Sequence, residues 1–149
     1  MPPESIAAVA AIASGLAAIA AAIVAWRSTE IERTKVKLAL YDRRFACYRA
    51  TLDLIRDAIQ RRDWPEEIDV AFLAQWEHAK FLFPAPVADE MNKVRMKIID
   101  LGFHRDMWRE GSPEEKREHG KELVELVKFL RSKYQSMAEV FQPYARLLH

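Results

Sequence analysis

The sequence has few of the residues that build disulfide frameworks, metal clusters and tight turns. Only one of its 149 residues is cysteine, Cys47, so it excludes an internal disulfide and provides too few thiolates for a metal cluster. Four glycines are too few for the many turns of a β-sandwich or barrel, and the composition therefore predicts an all-α protein. Positive and negative side chains nearly balance, for a net charge of +1, which excludes a globally basic nucleic-acid-binding protein.

Sequence motifs for catalysis and cofactor binding are also missing. There is no glycine-rich phosphate loop and no nucleophile elbow. The histidines form neither a zinc-binding helix nor the Glu-x-x-His pairs of di-iron bundles; they are His78, His104, His119 and His149. The i,i+4 pairs Asp100–His104 and Glu115–His119 are interpreted as solvated neighbours on helix surfaces, and Cys47 as a buried, inert thiol. The sequence thus predicts no enzyme, catalytic residue, metal site or cofactor.

The most distinctive segment is an uncharged run of twenty residues from Ile6 to Ala25, IAAVAAIASGLAAIAAAIVA. As a helix it is about 30 Å long, which is the thickness of a bilayer core, and Trp26 and Arg27 follow where interfacial residues belong. The preferred prediction is a transmembrane anchor at residues 1–26, followed by a helical bundle at residues 27–149. Alanine at 11 of the 20 positions weakens partition into lipid. The alternatives are a cleaved signal peptide and a soluble, alanine-rich coiled-coil strand.

The positive charges after this run predict an orientation. They lie on its C-terminal side only, at Arg27, Arg33, Lys35, Lys37, Arg43 and Arg44. By the positive-inside rule we expect a single-pass membrane protein with its N-terminus outside and its C-terminal domain in the cytoplasm. The residues nearest the membrane are candidate lipid-contacting residues, namely Trp26, Arg27, Arg33, Lys35 and Lys37.

The uncharged run also carries a heptad pattern. Its large side chains are spaced alternately three and four residues apart, at Val9, Ile12, Leu16, Ile19, Ile23 and Trp26. The opposite face is small, with Ser14, Ala18 and Ala22 four residues apart, a spacing that lets helices approach closely in lipid. These three are therefore candidate interaction residues, for self-association or for docking onto a partner's helix.

The rest of the chain predicts an antiparallel four-helix bundle. With no proline or glycine from Leu16 to Asp63, the first helix is expected to run from about residue 5 to about residue 62, where Trp64 and Pro65 end it. An apolar stripe on this helix, expected to face the core of the bundle, is shifted by one residue from the first heptad pattern. It runs through Ile31, Thr34, Leu38, Tyr41, Phe45, Tyr48, Leu52, Ile55 and Ile59. Further helices are expected from Glu66 to Pro84, from near Pro86 to Gly111, and after a capping box at Ser112 and Glu115.

The segment KLALYDRRFACY, Lys37 to Tyr48, adds a resemblance. With the apolar run before it, it resembles a group of small bacterial proteins of unknown function that carry an L-x-L-[YF]-D-R-R-[FY]-x-x-Y signature after a membrane span. The resemblance covers roughly residues 5–60 and implies a bacterial, membrane-anchored helical protein, which places the predicted single span in the bacterial inner membrane, without implying an activity. Within the segment, Arg43 and Arg44 are candidate interaction residues for an acidic partner.

The function predicted from these features is that of a membrane-anchored helical interaction or accessory protein. Its partners would be membrane lipid and an unidentified protein or a second copy of itself, with no nucleic acid. The alternative is a membrane-acting effector, such as a toxin or defence protein, that oligomerises and permeabilises the inner membrane. The heptad pattern and the pair Ser14–Gly15 motivate that alternative, although a pore lining is expected to be more polar.

Overall fold

Four α-helices make up nearly all of the described structure. A computed structural model describes residues 3–61 and 66–145, and the side chains of residues 3–13 and of Glu66 lie outside this description. The helices are α1 (Pro3–Gln60), α2 (Glu66–Leu82), α3 (Ala85–Glu110) and α4 (Pro113–Ala145). The predicted all-α class and the four predicted helices are confirmed. Trp64 and Pro65, which were predicted to end the first helix, lie outside the described residues.

The chain divides into two compact units, Met1–Ala39 and Leu40–His149. The first unit contains the N-terminal part of α1, and every described side chain in it, from Ser14 to Ala39, is exposed. The second unit contains the rest of α1 together with the other three helices, and it buries a hydrophobic core.

The second unit is an antiparallel four-helix bundle. Its helices are joined in chain order by the Cys47–Gln75 contact between α1 and α2, the Trp76–Ala88 hydrogen bond between α2 and α3, and the Glu90–Lys133 ion pair between α3 and α4. The ring contact between Tyr48 and Phe141 brings α4 back to α1. With the second contacts Arg44–Leu82, Asp69–Arg95 and His104–His119, residue numbers rise along one helix as they fall along its neighbour, so consecutive helices are antiparallel.

The core face of α1 differs from the predicted stripe. Its fully buried residues include three small ones, Cys47, Thr51 and Ala58, beside Leu54 and Ile55. Small side chains let another helix approach this face closely, and the larger aromatic rings are left on its edge. Phe45, predicted to lie in the core, is 45% exposed, so that prediction is wrong. The hydroxyl of Thr51 donates to the Cys47 carbonyl at 2.9 Å, which satisfies it within the helix.

The predicted transmembrane helix is contradicted. Across the described residues no helix has a stretch long and apolar enough to cross a membrane. Alanine fills 11 of the 20 uncharged positions from Ile6 to Ala25, and it contributes little to partition into lipid. The fold class is corrected to an all-α helical bundle without that span. The single-pass inner-membrane localisation and its orientation rested on the same helix and are corrected with it.

A buried ion pair fixes α2 against α3. The guanidinium of Arg95 donates twice to the Asp69 carboxylate, from Nε at 2.7 Å and from Nη2 at 2.9 Å. Asp69 is 7% exposed, so its charge is shielded from water and depends on this partner. The hydrogen bonds from Arg95 to Asp69 raise the pKa of the guanidinium above its usual value. The two hydrogen bonds hold α2 and α3 in one register.

The turn between α3 and α4 contains the predicted capping box. The Ser112 amide donates to Glu115 Oε2 at 2.7 Å, and the Glu115 amide is 3.5 Å from Ser112 Oγ. Gly111 precedes it in a tight turn, where a Cβ atom would lie 2.6 Å from the Met107 carbonyl oxygen. The hydrogen bonds from Ser112 to the Glu115 carboxylate lower the pKa of Glu115 below its ordinary value of 4.5. The sequence prediction of a helix start at this point is therefore confirmed.

Two phenylalanines on α2 provide a test of the core assignment. Phe72 is fully buried and Phe81 is 88% exposed. We expect Phe72→Ala to lower the free energy of unfolding by about 3–5 kcal/mol, because it leaves a cavity. Phe81→Ala should change it by less than about 0.5 kcal/mol. Urea unfolding of both variants measures the difference, and equal losses would contradict the assignment.

The capping box predicts a pH dependence of stability. Because folding lowers the pKa of Glu115, its stabilising effect is present above the unfolded-state pKa and is lost as the pH falls through the folded-state value. Glu115→Gln keeps an acceptor for the Ser112 amide but has no charge to lose. We expect its melting temperature to fall less between pH 7 and pH 3 than that of the unsubstituted chain.

The matched control for this experiment is Glu114→Gln, which removes the other carboxylate in the first turn of α4. It should keep the larger fall in melting temperature on acidification. An identical fall in both variants would show that the bond to Ser112 does not contribute to the pH dependence.

Candidate interaction surfaces

The N-terminal part of α1 carries many exposed large apolar side chains. We call residues 14–39 the arm. Its large apolar side chains are between 51% and 70% exposed, at Leu16, Ile19, Ile23, Val24, Trp26, Ile31, Val36 and Leu38. Isolated exposed apolar residues are common on proteins, but a contiguous row of them marks a surface that another molecule covers.

The candidate residues predicted from the sequence are also largely on the arm. Ser14, Ala18 and Ala22 are exposed along it. So are the candidate lipid-contacting residues Trp26, Arg27, Arg33, Lys35 and Lys37. Lipid contact at these positions stays a prediction.

Arg44 has a structural position that the sequence did not indicate. Its Nε donates to the Leu82 carbonyl at 3.2 Å, and its Nη1 donates to the Tyr144 carbonyl at 2.9 Å. Leu82 is the last residue of α2, and Tyr144 is next to last in α4. Carbonyls at helix C-termini lack amide donors and carry partial negative charge, so a guanidinium is well suited to both. One side chain of α1 thereby holds the ends of two other helices.

An aromatic cleft lies beside Arg44, with a volume of about 230 Å³. Phe83 and Phe141 meet edge to face at 5.2 Å between ring centroids, and Tyr48 is 5.5 Å from Phe141. Phe45 stacks on Tyr41 at 6.1 Å, and the guanidinium carbon of Arg44 is 5.7 Å from the centre of the Phe83 ring. These contacts account for the aromatic residues of YDRRFACY: their rings pack along the edge of the bundle rather than in its centre.

A second, polar cleft lies between α1 and α2, with a volume of about 620 Å³. Its lining includes Asp42 and Arg43 from α1 and Gln75, His78 and Phe81 from α2. Arg43 is exposed at this cleft, so the two arginines of the segment have different environments. The cleft carries both signs of charge, at Asp42 and Arg43, beside the exposed rings of His78 and Phe81.

His104 and His119 come together across α3 and α4, although the sequence suggested only neighbours on their own helices. Their Nδ1 atoms are 2.8 Å apart, and the ring of Phe103 meets both rings edge-on. This hydrogen bond needs one ring to donate and the other to accept, so at least one of the two must be neutral. Within residues 3–61 and 66–145, no group of three His, Cys, Asp or Glu residues is placed to hold a metal ion.

Cys47 is buried, as the sequence predicted. Its Sγ donates to the Gln75 carbonyl at 3.3 Å. Burial raises the pKa of the thiol to about 11, and a backbone hydrogen bond acts weakly in the opposite direction. Since the thiolate is the reactive form, this side chain is unreactive near neutral pH.

Comparisons with known proteins add no relative: no family model, curated protein or solved structure matches this chain. The resemblance of KLALYDRRFACY to small bacterial membrane proteins therefore stays a prediction. The function is therefore inferred from the exposed arm and the two clefts.

The two adjacent arginines allow a matched test of the Arg44 contacts. Arg44→Ala leaves the Leu82 and Tyr144 carbonyls without their charged donor, so we expect a loss of about 1.5–3 kcal/mol in the free energy of unfolding. Arg43→Ala, on the exposed side, should cost less than about 0.5 kcal/mol. Chemical denaturation compares the two, and equal stabilities would show that the Arg44 contacts contribute nothing.

Proposed function

We propose that this protein is a helical interaction module, in which the arm packs against a helix of another polypeptide chain. The single observation that supports this most strongly is the row of large apolar side chains on the arm, all at least 51% exposed. No described residue covers them, and four of them, Leu16, Ile19, Ile23 and Trp26, have the spacing of three and four residues of a helix that packs along another helix.

The energetics of helices favour the same proposal. A helix in water gains most of its stability from packing an apolar face, and the arm has no such contact with the described part of its own chain. Removing the seam of Leu16, Ile19, Ile23 and Trp26 from water would stabilise the assembled form by about 25 cal/mol per Å² buried. We therefore assign the large-residue seam, rather than the small face of Ser14, Ala18 and Ala22, as the contact surface.

The bundle has the features of a stable body that supports such a contact. Three of its side chains with shifted pKa values have structural causes: Arg95 bonds to Asp69, Glu115 closes a helix cap and Cys47 is buried. None of these three lines the aromatic or the polar cleft. A membrane-permeabilising effector would need the span that the described helices do not contain, and we do not propose it.

Site-specific photo-crosslinking in cells tests the proposal. A benzoyl-phenylalanine is placed at position 19, on the seam, or at position 21, on the opposite side of the same helix. We expect irradiation to produce a defined protein adduct from position 19 and little from position 21, because only the seam contacts the partner chain. An absence of protein adducts from both positions, in chains whose bundle is folded, would overturn the proposal.

A further inference from the structure

The heptad seam of the arm changes phase once. Leu16, Ile19, Ile23 and Trp26 follow one heptad phase, and Ile31, Thr34 and Leu38 follow another that is displaced by one residue. All seven side chains are exposed. The arm is about 39 Å long, more than three heptads, the length at which such a pattern is typical of a coiled coil. A partner must match both phases and the shift between them.

A second copy of the chain meets this requirement without further assumptions. In a parallel, in-register pair each seam residue lies opposite the same residue of the second copy, so the phase shifts of both helices coincide. An antiparallel pair also makes the shifts coincide, but only when it is centred midway between Trp26 and Ile31. That arrangement places Lys35 and Lys37 of one arm against the alanine-rich half of the other, where they have no opposite charges.

The charges beside the second seam distinguish the two orientations. With Ile31 and Leu38 at heptad position a, Glu30 and Lys37 occupy g, and Lys35 and Asp42 occupy e. In a parallel pair each g residue faces the e residue five positions later in the other chain. Glu30 then faces Lys35 of the second copy, and Lys37 faces Asp42 of the second copy. Both pairs are of opposite charge, and symmetry gives each of them twice; Lys37 also has an interaction within its own chain.

The first seam adds no conflict to this alignment. Its g positions hold Gly15, Ala22 and Thr29, and its e positions from Ala20 onward hold Ala20 and Arg27. No like-charged residues meet there. From these observations we propose that the arm forms a parallel, in-register coiled coil with a second copy of this chain. The inference rests on the proposed function, since it names the partner of the same surface.

Single cysteines test orientation and register together. In the proposed pair, Ile19→Cys places two thiols opposite each other within disulfide reach, whereas Ala21→Cys points both of them outward. We expect mild oxidation to convert Ile19→Cys to a disulfide dimer at least ten times faster than Ala21→Cys. Thr34→Cys against Val36→Cys repeats the comparison in the second phase. Cys47, which is buried and has a pKa of about 11, does not compete with the introduced thiols for disulfide formation.

Charge reversal provides an independent measurement. Lys35→Glu puts two like-charged pairs across the interface, so we expect the dissociation constant from sedimentation to rise about ten-fold. Adding Glu30→Lys to Lys35→Glu restores opposite charges in the reversed sense and should restore the affinity. The parallel alignment is contradicted if the double variant associates no better than the single one.

The outcomes separate this inference from the proposed function. A dimer in sedimentation whose Ile19→Cys and Ala21→Cys variants form disulfides at equal rates would overturn the parallel alignment and leave the proposed function standing. A monomer whose position 19 still photo-crosslinks to another protein would overturn the second copy as partner only. A monomer without protein adducts that floats with lipid vesicles would assign the seam to lipid and overturn both.

Discussion

A single guanidinium, that of Arg44, joins three of the four helices of the bundle. It donates to the terminal carbonyls of α2 and α4, which carry partial negative charge and have no amide donors within their own helices. The aromatic rings beside it pack on the same two helix ends. Farther along the bundle, the Asp69–Arg95 pair fixes α2 on α3, and Glu90–Lys133 fixes α3 on α4. Polar contacts at defined positions along the helices thus set the register between them, which an apolar core alone specifies poorly.

Much of the fold could be predicted because particular residue types mark where its helices begin and end. Proline and glycine separate α2, α3 and α4, and the capping box at Ser112 marks the start of α4. The error at Phe45 came from extending the stripe of the arm into the bundle, where the core face is centred on Cys47, Thr51 and Ala58. Small residues are weak signals in a hydrophobic pattern, yet they allow the closest helix packing. Arg44 could not be predicted, because a bond to distant carbonyls leaves no mark in the sequence. The contact between His104 and His119 could have been predicted. Each lies seven residues from the Gly111–Ser112 turn, so the two are level with each other on the antiparallel helices α3 and α4.

The alanine-rich run shows why an uncharged segment does not by itself define an environment. Alanine has the highest helix propensity but partitions only weakly into lipid, so twenty uncharged residues predict a helix far more firmly than a membrane span. The described helices contain no such span. What the run does specify is a seam of large residues with alanine on either side.

The same alanine content shapes the proposed coiled coil. Alanine beside the seam lets two helices approach closely but adds little apolar area, so most of the buried surface must come from the few large residues at Leu16, Ile19, Ile23 and Trp26. A modest apolar interface discriminates poorly between partners and between orientations. Discrimination then depends on features that do not add much affinity: the one-residue phase shift and the pairs Glu30–Lys35 and Lys37–Asp42. The charged half of the arm therefore selects the partner and the register, and the alanine-rich half contributes most of the buried apolar area.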